Sequence, residues 1–148
     1  MTVLITDSPF EPYVELKNFM ESSISLNPEV GGCSTFVGSM RDFNLGQKVD
    51  SMFLEHYSPM TENISNQVIF YAIKRWKLVD AFLIHRVGRV FPCDPIVLVA
   101  TWSSHRTDCF ESCRHIVEQL KTEIPFWKKE YVGEASRWVS VNTPREPK

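Results

Sequence analysis

Apolar and polar positions along this chain fall into blocks that predict three helices and three pairs of strands. Ser8-Pro9-Phe10-Glu11 has the form of a capping box with proline at the first helical position, and Tyr13, Leu16 and Met20 follow at helical spacing. Gly31-Gly32 leads into Cys33 to Met40, rich in β-formers. After a polar loop from Arg41 to Lys48, Val49 to Tyr57 reads as a second strand, and the two suggest a hairpin with a long connection. Ser58-Pro59 opens a second helix in which Met60, Ile64, Val68, Ala72 and Trp76 recur every four residues, with Ile69 and Ile73 beside them.

Ala81 to Val87 and Ile96 to Trp102 read as strands flanking the turn-like Gly88 to Pro95, the second apolar enough to be central. Thr107 and Asp108 open a third helix that carries Phe110, Cys113, Val117 and Leu120 inward, and Pro125 stops it by about Ile124. Phe126 to Val132 and Arg137 to Val141 read as short closing strands. Strand pairs between helices, rather than regular βαβ alternation, predict an α+β fold. The 148 residues contain no internal repeat and no dividing linker, so a single domain is expected, with about 1–7 and 143–148 loose at its ends.

Composition narrows the function classes. Apolar residues make up 43% and charged residues 23%, an ordinary globular balance. No stretch approaches a membrane span and the start lacks a signal-peptide pattern, so a cytoplasmic protein is expected. A formal net charge of −2 argues against a surface built wholly for nucleic acid. The four cysteines, Cys33, Cys93, Cys109 and Cys113, form no CxxC pair and read as free thiols. His105, Cys109 and Cys113 are spaced four apart, but Cys113 falls on the apolar face of its helix, so packing explains it better than a metal. Cys93 lies beside Asp94, whose charge would raise a thiol pKa, so it makes a poor nucleophile.

The cations carry more information. Arg41 lies in the polar loop, His105-Arg106 follow the apolar strand, Lys121 ends the third helix and Lys128-Lys129 lie beyond Pro125. Ser103-Ser104-His105-Arg106 falls where a strand passes into a helix, a place where backbone N–H groups can meet an anion. Lys121 and Lys128 flank a proline break beside Phe126-Trp127, so two ammonium groups can meet over an aromatic wall. The arrangement suits a planar, anionic small molecule.

These residues fall into a pattern: Phe36-Val37-Gly38, Arg41-Asp42-x-Asn44-x-Gly46, Leu54-Glu55-His56-Tyr57 with Met60-Thr61, Ile84-His85-Arg86-x-Gly88, Ser104-His105-Arg106, and Leu120-Lys121-x-x-x-Pro125-Phe126-Trp127-Lys128-x-Glu130. In this order the chain resembles the large, catalytic subunit of molybdopterin synthase, over about residues 30 to 140. The resemblance implies an α/β-hammerhead fold, a sulfurtransferase of molybdenum cofactor biosynthesis, and a homodimer of large subunits within a heterotetramer. It implies a small ubiquitin-like carrier whose C-terminal Gly-Gly thiocarboxylate delivers sulfur to cyclic pyranopterin monophosphate, forming the dithiolene of molybdopterin. No cofactor or metal is called for.

Carried over residue by residue, the resemblance places the catalytic role on Lys121 and Lys128. It places substrate binding on Ser39, Met40, Arg41, His105, Arg106, Lys129 and Glu130. Arginine offers bidentate forks to phosphate, and a lysine ammonium can stabilise developing negative charge or move a proton. Ser39 occupies a position that is basic in some relatives, and Cys93 stands where such proteins often have a turn glycine. The rival reading is a non-enzymatic dimeric module that holds a nucleotide or peptide tail in a basic pocket.

Overall fold

The computed structural model describes residues 1–44 and 46–139. The expected strand end at Val141 and the tail from Thr143 to Lys148 lie outside them. Two four-stranded sheets carry the fold. The first, in the order β1-β6-β8-β2, comprises β1 (Thr2–Thr6), β2 (Gly32–Ser39), β6 (Asp80–Arg86) and β8 (Pro95–Ser103). The second, in the order β10-β9-β5-β7, comprises β5 (Ser51–His56), β7 (Gly88–Val90), β9 (Phe126–Val132) and β10 (Ala135–Val139). A small antiparallel pair, β3 (Phe43–Asn44) with β4 (Gln47–Lys48), lies in the connection from β2 to β5.

The central strands β6 and β8 are buried on both faces, so each face needs its own helical cover. Strand alternation sends Leu83 and Val99 to one face and Phe82, Ile84, Leu98 and Trp102 to the other. Helices α2 (Ser58–Trp76) and α3 (Arg106–Thr122) cover the first face with Val68, Ile69, Ala72, Ile116 and Leu120. Helix α1 (Pro12–Phe19) and the π-helical turn Met20–Ile24 cover the second, where the Phe19 ring stacks on Phe82 at 4.3 Å and on Trp102 at 5.2 Å. A third cluster of Met40, Val49, Leu54 and Val90 joins the end of β2 to the second sheet. The α+β class is therefore observed, with sheets that are antiparallel apart from the β1–β6 edge packed against three helices among the described residues.

Several expectations need correction. Thr2–Thr6, read as a loose end, pairs in parallel with β6 as the edge of the first sheet. Helix α1 begins at Pro12 with Glu11 at its cap rather than at Ser8, whose hydroxyl bonds Asp7 instead. β2 and β5 do not form a hairpin: β2 pairs with β8, and β5 with β7 and β9. Pairing of this kind is decided by which faces must be buried, not by nearness in sequence. Met60 and Phe110 are exposed, at 49% and 60%, while Thr61 and Ser65 are buried on α2. These two hydroxyls are satisfied by the carbonyl oxygens of Pro125 at 3.3 Å and Thr61 at 2.7 Å. The closing strand β10 spans Ala135–Val139, starting two residues earlier than read.

Candidate active site

The end of β2, the end of β6, the last turn of α3 and the strand β9 converge on a cavity of about 520 Å³, within the range that holds a small ligand. α3 stops at Thr122 ahead of Pro125, so Lys121 in its last turn faces the chain as it re-enters at β9. On β9, alternation turns Phe126, Lys128 and Glu130 to the cavity. The end of β2 brings Ser39, Met40 and Arg41, just past a register shift between Gly38 and Ser39.

A tight turn secures that end. The Met40 N–H donates to the Asp94 carbonyl, and the Cys93 N–H donates to the Met40 carbonyl, both at 2.9 Å. Asp94 is itself held by Arg86 through an ion pair of 3.0 Å. Cys93 sits at φ +73°, in the left-handed region that favours glycine. Met40, 5% exposed, packs beneath the cavity, and the Arg41 guanidinium lies 5.0 Å over the Phe43 ring.

Glu130 is buried and accepts hydrogen bonds from Asn44 Nδ2 at 2.6 Å and Arg137 Nε at 2.8 Å. It therefore ties β3 and β10 to β9 as well as lining the cavity. Arg137 also bonds the Gln47 side chain. Burial, with the nearby Lys121 charge second, holds the Lys128 amine below the usual lysine range, while Glu130 opposes that shift. His85, at the end of β6, joins the lining; burial lowers its pKa to about 3, so its imidazole is neutral. The cavity thus combines three cationic side chains from separate elements with an apolar wall of Phe36, Leu54 and Phe126.

Not every expected residue is brought together. Lys129 and Trp127 face the opposite side of β9, where the Lys129 Nζ lies 5.7 Å from the Tyr131 ring and 5.5 Å from that of Trp138. The aromatic wall is Phe126 alone of the expected pair. His105 and Arg106 are exposed at the opposite end of α3. Lys121 is fifteen positions along α3 from Arg106, about 22 Å along a helix. Cys109 and Cys113 are buried in packing, and Cys109 Sγ bonds the Gly32 carbonyl at 3.2 Å. Burial raises the pKa of Cys33, Cys109 and Cys113.

His85, Asn44 and Phe36 line the cavity although none was singled out as a site residue. All three lie inside the quoted sequence pattern, but strand periodicity alone reads His85 as part of a buried strand.

A two-sheet α+β chain whose cations line one cavity over an apolar floor offers a site suited to a small anionic ligand or an acidic chain end. Residues 5–123 match the family described as MoaE protein, and the chain belongs to that family. The molybdopterin synthase catalytic subunit of Pseudomonas aeruginosa is 40% identical over 139 residues, covering 94% of this chain and 90% of the relative. Among solved structures, the molybdopterin biosynthesis MoaE protein from Burkholderia ambifaria superposes with a TM-score of 0.78 at 39% identity, covering 98% of this chain and 92% of that one. A molybdopterin synthase structure from Staphylococcus aureus gives a TM-score of 0.81 at 27% identity, covering 93% of this chain and 96% of that one.

Proposed function

We propose that this chain is the catalytic subunit of a molybdopterin synthase, a sulfurtransferase acting on cyclic pyranopterin monophosphate. The observation that carries the reading is the meeting of Arg41, Lys121 and Lys128 over Phe126 in one cavity. A flat, phosphorylated ring system needs an apolar surface for its plane and cations for its charge, and this lining offers both. The sulfur donor is the C-terminal thiocarboxylate of a small ubiquitin-like subunit; a name that specifies a catalytic subunit fits an assembly with a further one. A Gly-Gly terminus presents no side chains, so it can enter a narrow cavity where the same cations attract its charge.

Chemically, the thiocarboxylate sulfur forms a bond to a ring carbon of the substrate as a carbon–oxygen bond at that carbon breaks, the oxygen leaving with a proton as water or, at the carbon that carries the ester, staying on the phosphate. The acyl carbon–sulfur bond then breaks by addition of water, leaving the tail as a carboxylate and the sulfur on the substrate; two such transfers complete the dithiolene. The Lys128 amine, lowered by burial, is suited to move the proton. Lys121 stabilises the negative charge that develops on the acyl group. Arg41 holds substrate phosphate. Ser39 adds a hydroxyl at the rim, Met40 supports the floor and Glu130 fixes the walls.

His105 and Arg106 cannot reach this cavity from their own chain, given the length of α3. In a homodimer they complete the cavity of the partner subunit, which reconciles their expected role with their position. Lys129 contributes to the outer face of the sheet rather than to the substrate. No described helix is long and apolar enough to cross a membrane, and a cytoplasmic site of action is part of this proposal. Reconstitution of the purified chain with a thiocarboxylated carrier and cyclic pyranopterin monophosphate tests it: dithiolene product is expected, and none in a fully assembled mixture would refute it.

A further inference from the structure

His85 is placed more elaborately than packing requires. It is 6% exposed at the end of β6 and shares the cavity lining with Lys121 and Lys128. Its Nδ1 lies 2.8 Å from the Arg86 carbonyl oxygen. A carbonyl oxygen only accepts, so the proton sits on Nδ1 and the lone pair remains on Nε2. The ring is stacked on Phe126 with centroids 3.7 Å apart and planes 10° from parallel, which fixes its orientation. Nε2 is not among the buried side-chain atoms of the described residues that lack a partner, so it either meets a partner or keeps contact with the open space of the cavity. Lys128 follows Phe126 by two residues on the same face of β9, and its charge acts on the imidazole.

We propose that His85 is a positioning residue for Lys128, accepting a hydrogen bond from the ammonium at Nε2 and so aiming the amine at the reacting centre. The proposal rests on the sulfur-transfer reading of the cavity and adds a role to a residue outside its catalytic set. A lysine side chain is a flexible stem, and a fixed acceptor selects one of its many directions. The acceptor's charge also matters. A carboxylate would bind the ammonium as well, but would favour the protonated form needed least for proton transfer. The carboxylate on this face, Glu130, already accepts from Asn44 and Arg137. A neutral imidazole holds the amine with less bias, and burial keeps His85 neutral so that it does not repel the lysine.

Three variants of the full chain test this in the reconstituted assay. His85→Phe keeps a ring against Phe126 and removes both nitrogens; His85→Gln carries an oxygen near the place of Nε2; His85→Asn mimics Nδ1 alone. The phenylalanine variant should lose up to about 100-fold in kcat with KM changed by less than about twofold. His85→Gln should recover more activity than His85→Asn, a comparison that stands even where His85→Phe fails to fold. Independently of turnover, the Nε2 nitrogen resonance of His85 should show a hydrogen-bonded lone pair in the wild-type chain and move to the value of a free one in Lys128→Ala. Unchanged kcat in a folded His85→Phe chain, a loss confined to KM, equal activity of the Gln and Asn variants, or an Nε2 resonance indifferent to Lys128→Ala would each overturn the proposal. The resonance comparison needs no substrate, so it separates failure of this contact from failure of the sulfur-transfer reading.

Discussion

If the cavity of one chain is completed by the partner subunit, two defective chains should repair each other. Lys121→Ala removes a cation at the end of α3, and Arg106→Ala removes one at its start, about 22 Å away on a rigid helix. Each homodimer alone carries two defective sites. A mixed dimer has one site with both defects and one with neither. Random exchange at equal concentration makes half of the dimers mixed, and one of their two sites is intact, so activity should recover to about a quarter of wild type. The assay is dithiolene formation after the two purified variants are mixed and allowed to exchange subunits, with each variant alone as the baseline. Recovery should rise with exchange time and vanish if the dimers are cross-linked before mixing. Activity no higher than either parent after complete exchange would refute the shared site. Full activity in Arg106→Ala alone would remove that residue from the chemistry.

Other consequences concern stability and the thiols. Glu130→Ala removes the acceptor of the Asn44 amide and the Arg137 Nε–H, and because Arg137 is 37% exposed the loss should be about 2–3 kcal/mol, roughly 5–10 °C in Tm by thermal unfolding. His85, lowered from 6.5 to about 3, binds a proton in the unfolded chain first, so its stabilising effect is complete above pH 6.5 and is lost as pH falls toward 3. The unfolding free energy from urea titrations should decline by up to about 1.4 kcal/mol per pH unit in that window and decline less in His85→Phe, with His115, also lowered by burial, adding in the same direction. Replacing Cys33, Cys93, Cys109 and Cys113 together, with small apolar residues at the two buried positions, should leave turnover with pre-formed carrier thiocarboxylate intact; loss of turnover in a folded chain would route the sulfur through a thiol of this protein.

Local signals were legible where one element decides its own fate. Phe126–Val132 forms the strand that its β-rich composition predicts, and Pro125 separates it from α3 as expected. The meeting of Lys121 with Lys128 could be read from that break. The parity of β9 is equally readable: Lys128 shares a face with Phe126 and Glu130, whereas Lys129 shares one with Trp127 and Tyr131. What was not legible depends on distant partners. β2 ends beside β8 rather than β5 because its apolar face is needed in the first sheet. Thr2–Thr6 gains order by pairing with β6 and packing Val3 on the core beneath α2 and α3, and Glu130 is buried because Asn44 and Arg137 arrive from other elements to satisfy it. No periodicity within one chain reports whether the two ends of α3 serve one site or two.

The measurement closest to the central claim is the single-turnover rate of dithiolene formation in Lys121→Ala, with saturating thiocarboxylated carrier and with substrate binding measured separately by calorimetry. Removal of one preorganised charge-stabilising group predicts a rate lower by about 100- to 1,000-fold, with the fold and dimer intact and substrate affinity largely kept. A wild-type rate in that variant would contradict the account, and a loss traced wholly to weaker substrate binding would reduce the cavity to a binding site.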